Sequence, residues 1–131
     1  MLAEVERVEL DAPLGPAWSP VIRLVIGGIA ARLQLGFDDL DDLQLAVERL
    51  LAEAAAQDTV HIAFELRESG VRASIGPLRE RPISTALQGP DPPGDELALG
   101  RILETVVDSF GIEAVDGDEL VVRLDKLVRP H

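Results

Sequence analysis

Arg49 and Glu53 stand four residues apart in a stretch of helical periodicity, so their side chains share one face of a helix. A carboxylate at Glu53 suits a hard cation such as magnesium. A guanidinium at Arg49 cannot serve as a general base. The same spacing also fits an exposed helical ion pair of small energetic weight. Four carboxylates, Asp38, Asp39, Asp41 and Asp42, precede the pair. They read either as a solvated helix start favoured by the helix dipole or as a docking point for basic residues of a partner. His61 and His131 are too far apart in sequence to suggest a metal site, and His61 falls on the polar face of a strand. Ser19, Ser69, Ser74, Ser84 and Ser109 lack the spacing of a nucleophile elbow. There is no cysteine, which excludes disulfides, zinc–thiolate sites and thiol catalysis and fits a reducing cytoplasm.

The elements that must position these residues are legible in the hydrophobic pattern. Glu4 to Leu10 alternates as a first strand. Ser19-Pro20 provides a cap and first helical position for a helix with Val21, Ile22, Val25, Ile29 and Leu33 at helical spacing. Gly27 and Gly28 cost that helix roughly 1 kcal/mol each relative to alanine, which suggests close packing against a neighbour. Gly36 is the expected C-terminal cap. A second helix over about 39–57 buries Leu40, Leu43, Val47, Leu50 and Ala54. Val60, Ile62, Phe64 and Leu66, then Val71, Ala73 and Ile75, alternate as an antiparallel hairpin around Ser69-Gly70. Residues 76–95 hold Pro77, Pro82, Pro90, Pro92 and Pro93 and are expected to form a long functional or disordered loop. A third helix with Leu97, Leu99, Ile102, Leu103, Val106 and Val107 ends at Gly111, and Ile112–Val115 with Leu120–Leu127 forms a last hairpin. The order predicts an α+β two-layer sandwich: a mostly antiparallel five-stranded sheet with helices on one face.

The chain has 131 residues, and residues 1–131 are expected to form one domain. Hydrophobic residues make up 47%, enough for a core, and aromatics only 3%, so that core must come from Leu, Val, Ile and Ala. The net charge is −12. Such a surface repels phosphate backbones and anionic membranes, which excludes direct nucleic-acid binding and favours a basic protein face as partner. The N-terminus lacks the apolar core of a signal peptide, and the apolar stretch near Val21–Ala31 is too short to span a bilayer.

Three stretches carry a family resemblance. Val21-Ile22-Arg23-Leu24-Val25-Ile26-Gly27-Gly28-Ile29-Ala30 resembles a first helix that joins an Arg-containing apolar run to small residues. Phe37-Asp38-Asp39-Leu40-Asp41-Asp42-Leu43-Gln44-Leu45-Ala46-Val47 resembles the start of a second helix. Leu97-Ala98-Leu99-Gly100-Arg101-Ile102-Leu103-Glu104-Thr105-Val106-Val107-Asp108 resembles a glycine-led third helix. Together with the order of elements, they resemble the anti-sigma-factor serine kinases of the RsbW and SpoIIAB type, which have the GHKL ATPase fold.

In that family the second helix carries a Glu that activates the attacking hydroxyl or water and, four residues later, an Asn that ligates nucleotide-bound magnesium. Here the two positions fall on Arg49 and Glu53. Shifting by one gives Glu48 and Ala52, which loses the metal ligand instead. The family's Asp-x-Gly-x-Gly turn, whose Asp accepts the adenine amino proton, falls on Pro77, Arg79 and Arg81. Gly100 matches the glycine-rich segment beside the triphosphate, and 76–95 the ATP lid. The resemblance therefore implies a non-catalytic, cytoplasmic anti-sigma-factor-like regulator with no cofactor. Its partners would be a sigma factor or a STAS-domain anti-anti-sigma factor, with a possible homodimer through the first helix. The alternative is a divergent serine/threonine protein kinase that binds ATP and magnesium, with Glu53 and Gly100 as the candidate cofactor-binding residues.

Overall fold

The period-2 runs become strands and the 3.6-residue runs become helices. In a computed structural model that describes residues 5–54, 57–88, 98–114 and 117–128, the chain runs β1 (Glu6–Pro13), a 3-10 turn (Pro16–Trp18), α1 (Ser19–Leu33), α2 (Phe37–Glu53), β2 (Thr59–Arg67) and β3 (Gly70–Arg79). It continues through α3 (Glu80–Gln88), α4 (Leu99–Val106), β4 (Ser109–Ala114) and β5 (Glu119–Leu127). One sheet has the order β1-β2-β3-β5-β4, and every pairing in it is antiparallel. This is the expected α+β sandwich.

The alternation in β2 sends Val60, Ile62, Phe64 and Leu66 inward, where they meet Ile75 from β3 and Val122 and Leu124 from β5. Helices cover this face with Ile22, Ile26, Ile29 and Leu33 from α1 and Leu43, Val47 and Leu50 from α2. Ile83 of α3 and Leu103 of α4 complete the core. Phe64 is the buried aromatic among the described residues; Trp18 and Phe37 are exposed. The opposite face of the sheet carries charge. Arg7, Glu65, Arg72 and Asp125 lie side by side across β1, β2, β3 and β5, so opposite signs face each other on neighbouring strands.

The structure corrects several local expectations. Residues 76–79 continue β3, and 80–88 fold as α3, so the expected loop is structured at least to Gln88; 89–97 lie outside the described residues. Pro82 falls in the first turn of α3, where a missing N–H costs no helical hydrogen bond. Pro77 sits where the β3–β5 register shifts between Ile75 and Leu78, a bulge that tolerates proline on a strand. Gly36 does not cap α1. Gln34 does so in left-handed conformation (φ 59°), its N–H reaching the Ala30 and Ala31 carbonyls, and the extended Gly36 is instead the N-cap of α2. Gly27 and Gly28 face open space, with nothing within 4 Å of where a β-carbon would stand, so close packing does not explain them. Val21 is exposed and Ile26 is buried, which turns the α1 stripe slightly from the predicted one. Finally, α4 stops at Val106 and Gly111 lies inside β4, where a β-carbon would meet the Arg123 guanidinium.

Candidate functional site

The flank of α2 that carries Arg49 and Glu53 is fixed by the residues one and two turns before them. Asp42, seven positions ahead of Arg49, accepts from the Lys126 ammonium (3.3 Å), and the same ammonium donates to the Val106 carbonyl at the end of α4 (2.8 Å). That flank therefore faces α4. Arg49 is half-buried, and its Nε is buried with no hydrogen-bond partner. A buried donor left unpaired is costly and uncommon. Glu53 is exposed, and no ion pair joins it to Arg49 among the described residues. Glu48, the residue from the shifted register, points to the other flank and pairs with Arg23 of α1. It lines a mostly apolar cleft of about 360 Å³ with Leu14, Ser19, Ile22 and Leu51.

The segment matched to the adenine-binding turn is tied to the end of α2. Gln57 Nε2 donates to the Pro77 carbonyl (3.1 Å), and Gln57 Oε1 accepts from the Arg79 N–H (3.0 Å). Pro77 and Arg79 are exposed. Sequence reasoning missed Gln57, because a glutamine just past a helix carries no signal of what lies across from it. Gly100 is buried at the start of α4, and a β-carbon there would lie 2.5 Å from the Leu87 carbonyl of α3. The glycine matched to a phosphate-binding segment thus lets the α3 and α4 backbones pack together. Leu87 and Ala86 pack onto the core beside the buried Ile83.

Half of the acidic run is engaged inside the molecule. Lys126, the chain's one lysine, is buried and sits 3.4 Å from Asp39 and 3.3 Å from Asp42, while Asp38 and Asp41 remain exposed. A signal existed: Lys126 occupies an inward position in phase with Leu120, Val122 and Leu124.

His61 is half-exposed on the charged face of the sheet, with Nδ1 2.6 Å from Asp11 and Nε2 3.1 Å from Glu9, both on the edge strand β1. The hydrogen bond to Asp11 raises its pKa against a smaller opposing effect of desolvation. A raised folded pKa means that this contact stabilises the fold fully below about pH 6.5 and is lost as pH rises through the raised value. Thermal unfolding across that window should show stability falling with pH in the parent chain and a flatter profile in Asp11→Asn; equal slopes would refute the link. His131 lies outside the described residues. Among the described residues no group of three or more His, Cys, Asp and Glu side chains could hold a metal, and no helix is long and apolar enough to cross a membrane.

No family model matches the chain. It is 27% identical over 81 residues to the serine-protein kinase RsbW of Bacillus velezensis, a stretch covering 62% of this chain and 48% of the relative. The corresponding kinase of Bacillus licheniformis is 28% identical over 82 residues, with the same coverage of 62% and 48%. That of Bacillus subtilis strain 168 is 27% identical over 81 residues, again covering 62% and 48%. The chain thus spans about half the length of the relatives it matches. Repeated similarity to these proteins relates the chain to the RsbW serine-protein kinases.

Proposed function

We propose that the protein is an anti-sigma-factor-type regulator that works by binding a protein partner and transfers no phosphoryl group. The observation that carries this reading is Arg49. Where the resemblance expects a carboxylate base, the side chain is a guanidinium that cannot accept a proton, and its Nε is buried without a hydrogen-bond partner. Pro77 at the adenine position and the Leu87 carbonyl packed on Gly100 point the same way. The partner is a sigma factor or a STAS-domain anti-anti-sigma factor, and the net charge of −12 suits a basic docking face on it. The test is incubation of the purified protein with magnesium-ATP and a STAS-domain protein. Complex formation without phosphoserine is expected; magnesium-dependent phosphorylation would overturn the reading.

One observation favours a second reading. Glu53 is an exposed carboxylate, free of ion pairs among the described residues, at the position of the family's magnesium ligand. On this reading the protein is a divergent kinase that binds ATP and magnesium beside Glu53 and Gly100. Nucleotide affinity would then fall at least tenfold in Glu53→Ala, and unchanged affinity in that variant would remove Glu53 as the ligand.

A further inference from the structure

Cations are scarce in this chain, with 12 lysines and arginines against 24 carboxylates, yet Arg7, Arg67, Arg72 and Arg123 share the charged face of the sheet. Arg67 ends β2 and Arg72 lies near the start of β3. Arg67 pairs in register with Gly70, and Arg72 with Glu65, which makes the two arginines diagonal neighbours on one face. Between them opens a cleft of about 240 Å³ lined by Arg67, Ser69, Gly70, Arg72, Ser109 and Asp125.

The arginines in this cleft are held in a specific way. Arg72 donates through Nε to Asp125 Oδ1 (2.7 Å), and its two terminal nitrogens make no hydrogen bond within the described residues. The side chain is 42% exposed. Asp125 also accepts from Ser109 Oγ (2.9 Å) and from Arg123 Nε (3.0 Å). Burial pushes the Asp125 carboxyl upward, but these three donors more than offset it and hold the carboxyl below its ordinary value, so it stays ionised. Arg67 gives one nitrogen to Glu65 (2.9 Å) and is 49% exposed. The exposed Ser69 hydroxyl lies at the turn between them and has no partner among the described residues. A guanidinium anchored through Nε presents its fork of terminal N–H groups in a fixed direction, the geometry that grips two oxygens of a phosphate or carboxylate. Lys126 lines the cleft by its backbone side only, since its ammonium points to Asp39, Asp42 and the Val106 carbonyl.

We propose that the Arg67–Arg72 cleft binds a phosphate-type oxyanion, gripped by the Arg72 fork and by Arg67, with the Ser69 hydroxyl as a further donor. Asp125 acts as a positioning residue for Arg72. The site lies on the face of the sheet opposite the helices and is separate from Arg49, Glu53 and Gly100.

Two probes test the site and separate the sources of such an anion: inorganic phosphate, and a short peptide carrying one phosphoserine, each titrated at constant ionic strength and followed by amide chemical shifts and calorimetry. Saturable binding with shifts centred on Ser69, Gly70 and Arg72 is expected for at least one probe. Tighter binding of the peptide assigns the site to a phosphorylated side chain; tighter binding of phosphate assigns it to the free ion. Arg72→Gln and Arg67→Gln should each weaken binding at least tenfold, Arg72→Lys should keep the charge but lose most of the affinity, and Arg32→Gln on α1 should change nothing. Thermal unfolding of each variant establishes that it folds. Absence of saturation by either probe at millimolar concentration, or an equal loss in Arg32→Gln, would overturn the proposal. Either result leaves the reading of the Arg49 site untouched.

Discussion

Replacing Lys126 by methionine is expected to destabilise the fold by about 3 kcal/mol, the lower end of the range for breaking a buried ion pair from one side. The Lys126 side chain is 5% exposed, and its ammonium donates to Asp42 of α2 and the Val106 carbonyl of α4 while pairing with Asp39 of α2. Methionine fills the same space and offers none of them a donor. Asp42, 39% exposed, can turn to water, while Asp39, 20% exposed, has less freedom. Urea unfolding with an unchanged m-value measures the loss. Replacing both aspartates by asparagine in the methionine background should recover part of it, because the uncompensated charges are then gone. A single-variant loss below about 1 kcal/mol would show that the clamp is only a surface pair.

Alanine at two of the helical glycines is expected to shift stability in opposite directions. A glycine inside a helix ordinarily gains about 1 kcal/mol when replaced by alanine. Gly28→Ala should do so, because nothing lies within 4 Å of the new methyl. Gly100→Ala should instead lose about 1–3 kcal/mol, the usual cost of overpacking, because the methyl would meet the Leu87 carbonyl at 2.5 Å and a backbone oxygen cannot swing aside as a side chain can. The loss should appear first as faster amide exchange in α3, the element forced off α4. Stabilisation by Gly100→Ala would mean that α3 and α4 are not packed backbone to backbone, and the cofactor role for Gly100 would regain its case.

The contrast between these two glycines shows where sequence reading succeeded and where it stopped. Periodicity is a property of the chain itself, so β2, β3, α2 and the sheet-plus-helices architecture were legible from Val60, Ile62, Phe64 and Leu66 and from Leu43, Val47 and Leu50. Gly100 and Gly28 look alike in sequence, and only the neighbour that folding brings, a carbonyl or open space, distinguishes them. Proline content misled over 76–88, because Pro77 in a bulge and Pro82 in a first helical turn are both compatible with regular structure. Gln34 took the left-handed cap position expected of Gly36 because α1 ends two residues earlier than the glycine suggested. At the candidate site, the identities of Arg49, Glu53 and Pro77 were plain in sequence. The buried Nε of Arg49, the Gln57 bridge to Pro77 and Arg79, and the Lys126 clamp all depend on contacts between elements distant in sequence.

A regulator that works by binding alone, as proposed above, needs no magnesium-ATP on its RsbW-related scaffold. Calorimetric titration of the purified protein with ATP in magnesium tests it most directly. No saturable heat up to millimolar nucleotide is expected. Heat that saturates at micromolar ATP would contradict it.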